Sequence, residues 1–170
     1  AFIWDCNIKV CQKFLNSIGI KKISFFENKF DQDLLSKAKI LKEKINTNKD
    51  LIQLKLPHFI PGEYLYDMIL KIQRKATVDI SDKNLKKYIY QFLCWIKFSE
   101  NLLNKSDPDI VVLSHSISCQ CAPLAWMASK KRIPVIILGG GFGTPRFWKI
   151  ISPNDIFSGT GRPTKKDFKN

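Results

Sequence analysis

Two apolar runs decide the fold: Ile110-Val111-Val112-Leu113, leading into Ser114-His115-Ser116, and Ile133-Pro134-Val135-Ile136-Ile137-Leu138, leading into Gly139-Gly140-Gly141-Phe142-Gly143-Thr144. Both are short, rich in β-branched side chains, and lack the alternation of a half-exposed strand. Such runs fit strands of a parallel sheet covered on both faces. Asp107-Pro108-Asp109 sets a turn before the first, and Pro134 is tolerated at the start of the second. Between them Ala122, Leu124, Ala125, Met127 and Ala128 form a helical pattern of mostly small residues. Lys130-Lys131-Arg132 then suit the negative end of a helix dipole. Strand, helix and strand within about 30 residues form a βαβ unit. The expected fold is three-layer α/β, with strands 110–113 and 134–138 as parallel neighbours and a helix over 119–131 across one sheet face.

Towards the N-terminus, Val10, Cys11, Phe14, Leu15 and Ile18 recur at helical spacing before Gly19, and Ile23-Ser24-Phe25-Phe26 is a short strand candidate. Residues 29–106 read as a mostly helical insertion. A helix from Asp31 to about Lys44 stops at the polar break Asn46-Thr47-Asn48, and Pro57-His58-Phe59-Ile60-Pro61-Gly62 is a turn-rich connector. Tyr64, Leu65, Met68, Ile69 and Ile72 mark an amphipathic helix. A longer helix starts at Ser81 or Asp82, both good N-caps, and runs through Leu85, Ile89, Phe92, Leu93, Ile96 and Leu103.

A chain of 170 residues with 45% hydrophobic and 25% charged side chains fits one globular domain, residues 1–170. This composition excludes a disordered tail, a collagen-like chain and a disulfide miniprotein. No run approaches the ~20 apolar residues of a membrane-spanning helix. The opening Ala-Phe-Ile-Trp-Asp carries no signal pattern, so the chain reads as a piece of a longer protein. Twenty-eight basic against 15 acidic residues give a net charge of +13, which invites a polyanionic partner. Yet only Arg74, Arg132, Arg146 and Arg162 are arginines, and the lysines are scattered. Readers of phosphate and base edges favour arginine's planar fork, so no specific nucleic-acid recognition is expected. Cys6, Cys11, Cys94, Cys119 and Cys121 are odd in number and lack disulfide or zinc spacing. A reducing, cytoplasmic setting follows as the expectation, with no metal and no cofactor.

Ligands of open parallel sheets bind outside the carboxyl ends of the strands. His115 leaves the first strand there, and imidazole suits proton transfer near neutral pH. It is therefore the candidate catalytic base, with Ser114 and Ser116 as candidate substrate contacts. Gly139, Gly140, Gly141 and Gly143 leave the second strand, where glycine permits close backbone approach to a ligand. They form neither a Walker loop nor a dinucleotide fingerprint. Thr144-Pro145 resembles a helix start, which puts Arg146 and Lys149 beside N–H groups suited to an anion. Thr144 and Arg146 thus complete the candidate binding set. A flexible crossover for the glycines and a satisfied loop histidine for His115 remain the alternatives. No nucleophile elbow, zinc-protease motif or acidic pair closes a catalytic set.

Pro108-Asp109-Ile110-Val111-Val112-Leu113-Ser114-His115, Ala122-Pro123-Leu124-Ala125-Trp126-Met127-Ala128 and Ile133-Pro134-Val135-Ile136 resemble bacterial surface and capsular polysaccharide biosynthesis proteins. Those look like glycosyltransferases of the two-Rossmann-domain (GT-B) architecture. Gly62-Glu63-Tyr64 through Arg74, Val78-Asp79 with the helix from Asp82, and the stretches at Arg146-Phe147 and Asp155-Ile156 extend the likeness over about residues 60–168. The resemblance implies a Rossmann-like, acceptor-side N-terminal half acting in cell-surface polysaccharide synthesis, at the inner face of the membrane. Its acceptor would be a saccharide or a lipid-linked saccharide. The nucleotide-sugar donor would be held mainly by a C-terminal domain, so the chain alone is not expected to turn over. The competing expectation is a basic α/β module that binds anionic lipid or nucleic acid.

Overall fold

Asp31 starts the first helix, α1 (Gln32–Glu43), by accepting hydrogen bonds from the N–H groups of Asp33 and Leu34. The computed structural model describes residues 30–117, 120–141 and 144–156, with Lys13, Asn16, Ser17 and Gly19 as separate positions. Most of the N-terminal helix and all of the strand expected at 23–26 lie outside the described residues. Thr47 and Asp50 cap each other reciprocally and open a short α2 (Asn48–Gln53). The polar triplet falls at the break after α1, as expected, and also caps the next helix.

The chain then turns through Pro57–Phe59 and enters α3 (Gly62–Gln73). Gly62 is required by close approach: a Cβ there would lie 2.1 Å from the Leu51 carbonyl oxygen and 2.9 Å from that of Leu54. Helix α4 (Leu85–Ser106) begins later than the Ser81 or Asp82 expected from capping preference. The reason is a polar knot ahead of it. Asp82 accepts from the Asn84 N–H and from the Gln73 side-chain amide, while the Gln73 carbonyl accepts from the Asp79 N–H. These bonds hold residues 79–84 in turns rather than in the first turn of the helix. Lys97 of α4 pairs with Asp31, and the Tyr90 hydroxyl accepts from the Asp31 N–H, so α1 is fastened to α4 at its first turn.

Strand β1 (Val111–Leu113), helix α5 (Ala122–Lys130) and strand β2 (Val135–Gly141) follow. β1 and β2 are parallel neighbours, with Val111 opposite Val135 and Leu113 opposite Ile137, as the apolar runs predicted. Helix α5 packs against both strands from one side. It shares a buried cluster with Val111, Val135 and Ile137 through Ala122, Ala125, Met127 and Ala128. The helix closes with Arg132 at φ 59°, the Arg132 N–H bonded to Ser129 and the Ile133 N–H to Ala128.

The third strand, β3 (Thr144–Ile150), runs antiparallel to β2, with Gly141 opposite Thr144 and Val135 opposite Ile150. Two expectations are corrected by it. The sheet is mixed rather than wholly parallel, in the order β1-β2-β3. Thr144-Pro145 does not begin a helix, and Arg146 and Lys149 lie on a strand. The physical reason is pairing. Only residues 142 and 143 separate the paired Gly141 and Thr144, a hairpin-length connection that favours glycine. Pro145 sits near the start of a strand paired on β2, where a missing N–H is tolerated.

The described residues are thus α/β, with helices and a small mixed sheet. One face of that sheet is buried beneath α5. On the other, Val112, Leu138 and Phe147 are exposed, Leu138 and Phe147 directly opposite each other.

Candidate functional site

Ser114 and His115 emerge from β1 exposed to solvent at the carboxyl end of the parallel pair. β1 stops pairing with β2 at Leu113 opposite Ile137, so Ser114 and His115 leave the sheet while β2 runs on through Gly139 to Gly141. His115 and Gly139 both lie beyond the last paired residues, Leu113 and Ile137, on the carboxyl side of the parallel pair. The side chains differ in what they do. Ser116 is buried, and its hydroxyl donates to the Ile156 carbonyl at 3.1 Å. It ties the segment after β1 to the turn Pro153–Asp155 rather than facing a ligand.

The glycine run is strand, not loop, through Gly141. Gly139, Gly140 and Gly141 pair with Arg146, Pro145 and Thr144. At Gly139 a Cβ would meet the Trp148 indole at 2.8 Å, so the missing side chain makes room for that ring. Gly143 lies outside the described residues, and for Thr144 and Arg146 the backbone pairing alone is described. The edge thus keeps Ser114 and His115 as its accessible polar pair, with Gly139 committed to packing.

A second place has chemical character that the sequence only hinted at. His58 and Phe59 stand in the turn between Leu56 and Ile60, both buried. The two residues have φ of 59° and 58°, in the left-handed region that costs an L-residue about 1–2 kcal/mol. The turn is held from outside: the Trp126 indole N–H donates to the His58 carbonyl at 3.1 Å. His58 Nε2 lies 3.4 Å from Glu100 Oε1, close enough to pair when the imidazole is protonated. Around this turn, the α4 residues Glu100, Leu103 and Asn104 and the α5 end at Met127, Lys130 and Lys131 line a cavity of about 270 Å³.

Both lysines are positioned. Lys131 Nζ donates to Asn104 Oδ1 at 3.0 Å, and Lys130 Nζ stands 5.5 Å from the centre of the Trp126 ring. Sequence reading noted His58 between prolines and gave the lysines a helix-terminal role. It missed Glu100 and Asn104, whose one available signal was their spacing of four on a helix face. Among the described residues no three His, Cys, Asp or Glu side chains gather as a metal site. Cys94 is a buried thiol whose pKa burial pushes up, consistent with a packing role. No described helix is long and apolar enough to cross a membrane. Comparison with protein families, with characterised proteins and with solved structures found no match.

Proposed function

We propose that this chain is the acceptor-side half of a cytoplasmic glycosyltransferase that builds cell-surface polysaccharide. The observation carrying the reading is the exposed Ser114-His115 pair at the carboxyl end of β1, beside a parallel β2. That is where open α/β sheets hold their ligands. The likeness of residues 60–168 to polysaccharide biosynthesis proteins supplies the reaction class. In this reading His115 takes the proton from an acceptor hydroxyl as its oxygen attacks the anomeric carbon, and the nucleoside diphosphate leaves with the bonding electrons. Ser114 orients the acceptor, and Thr144 and Arg146 contribute to binding in the same reading.

A three-layer, Rossmann-like arrangement belongs to the same proposal. Val112, Leu138 and Phe147 form an apolar sheet face that α5 does not cover. Their burial by a further layer would return the strands to the two-sided environment their composition fits.

Donor and acceptor meet between two domains in such an enzyme, and most of the rate gain comes from holding them together. Calorimetry of the chain against UDP-glucose and other nucleotide-sugars should therefore show millimolar or weaker binding and no turnover. Micromolar binding with turnover by the chain alone would refute the division of labour. The net charge of +13 favours a second reading, a basic module for anionic lipid or nucleic acid. Polyanion binding weakens steeply with salt, whereas saccharide binding does not. A salt titration with a DNA duplex and with anionic vesicles separates the two.

A further inference from the structure

The cavity beside His58 lies far from the transfer chemistry. Helix α5 begins after the carboxyl end of β1 and ends before the amino end of β2, so Lys130 and Lys131 stand at the sheet edge opposite His115. Three observations there point to a ligand when taken together. The turn holds two non-glycine residues in left-handed backbone, a strain that persists only where surrounding structure enforces it and that clusters at ligand sites. Phe59 recovers little of that strain by burial, because it is 74% exposed. Two ammonium groups are oriented beside an opening whose wall includes Leu103 and Met127, one by a hydrogen bond and one by an aromatic ring.

We propose that this cavity binds a small phosphate monoester with an apolar or aromatic body. Lys130 and Lys131 receive the phosphate oxygens. Leu103, Met127 and the Phe59 ring receive the body. Charge sets the sign of the ligand: two lysines outweigh Glu100, and Glu100 is already faced by His58. Volume sets its size, since about 270 Å³ falls just below the ~300–1,000 Å³ of ordinary ligand pockets. A single ring or a short alkyl chain fits, and a nucleotide-sugar does not. Lysine rather than arginine suits a compact dianion held as a point charge rather than by a planar fork. The proposal is independent of the transferase reading and survives if that reading fails.

The test is a titration of the full chain with phenyl phosphate, followed by proton–nitrogen NMR, with inorganic phosphate and phenol as separate arms. Phenyl phosphate should bind saturably and roughly tenfold more tightly than either fragment. Its shifts should centre on the Trp126 indole N–H and the backbone amides of His58, Phe59 and Lys131. A Lys130→Glu, Lys131→Glu double variant should lose binding. Asn104→Phe, which keeps both lysines, removes the Lys131 hydrogen bond and fills the opening, should lose it as well. Both changes are at exposed positions, and retained spectral dispersion reports that the variants are folded. Phenyl phosphate binding no better than inorganic phosphate would overturn the proposal. So would shifts scattered over the lysine-rich surface, or variants that titrate like the parent chain.

Discussion

Replacing Gly62 by alanine sets two physical effects against each other. Helix propensity alone favours alanine over glycine by up to ~1 kcal/mol, so an isolated α3 would gain. In the folded chain the added Cβ meets three carbonyl oxygens at the end of α2, those of Leu51 at 2.1 Å, Leu54 at 2.9 Å and Ile52 at 3.0 Å. All three are backbone, and none can rotate aside as a side chain would. Relief requires α2 and α3 to separate by about an ångström, in a region where Leu51, Leu65 and Ile69 are fully buried. Overpacking ordinarily costs about 1–3 kcal/mol, and an obstacle made of backbone belongs at the upper end, about 3 kcal/mol. Less the ~1 kcal/mol of propensity the net loss is about 2 kcal/mol, so with a urea slope of about 2 kcal/mol/M the unfolding midpoint should fall by about 1 M. Equilibrium urea denaturation followed by far-UV circular dichroism measures the shift. A midpoint equal to or above that of the parent chain would show that α2 and α3 do not meet at Gly62 as described.

Other outcomes follow from single side chains. The Asp79 carboxyl is held down to about 2, first by the Lys75 hydrogen bond and then by the Ser81 hydroxyl and N–H, against an ordinary value of 3.8. A depressed carboxyl contributes stability that is complete above the unfolded value and is lost as pH falls through the folded one. The urea midpoint should therefore drop between pH 4 and pH 2, and Asp79→Asn should flatten that drop; an unchanged slope would contradict the Asp79 network. Arg74 ends α3 at φ 52°, so Arg74→Gly should stabilise the chain by about 0.5–1 kcal/mol in thermal unfolding, where a loss would argue against the left-handed cap. Ser116→Ala removes the buried hydroxyl that donates to the Ile156 carbonyl and should cost about 1 kcal/mol in urea, an effect that an exposed serine would not give.

The parts of the fold legible in the sequence are those in which one residue pattern has one physical solution. Val111–Leu113 and Val135–Ile137 are apolar runs bounded by turn residues, and their parallel pairing follows once a helix-length segment separates them. The helices over 32–43, 62–73 and 85–106 show their buried stripes openly, from Leu34 and Ala38 to Phe92 and Leu103. Ambiguous chemistry hid the rest. Thr144-Pro145 serves equally as a helix start or as the entry to a strand, and the hairpin-length gap from Gly141 settled it only through pairing. Asn46-Thr47-Asn48 is legible as the break after α1, but its second role as the cap of α2 shows only once Asp50 is recognised as the partner of Thr47. Asp82 has a capping side chain, but Gln73 and Asn84 engage it first.

At the site, strand order made legible that His115 and Gly139 both follow the paired parts of β1 and β2. Ser116 was not legible as a structural residue, since its acceptor, Ile156, is 40 positions away. The cavity beside His58 draws on segments near residues 58, 103 and 130, and no local pattern announces such a meeting.

The proposed function stands on proton transfer at the carboxyl edge of β1. Its most direct test is His115→Ala in the chain joined to a nucleotide-sugar-binding domain, assayed for sugar transfer under saturating acceptor. His115 is exposed, so the variant should keep parental stability within about 0.5 kcal/mol. In the proposed enzyme kcat should fall by about 10²–10⁴-fold with KM nearly unchanged. A folded variant that transfers sugar at the parental rate would contradict it.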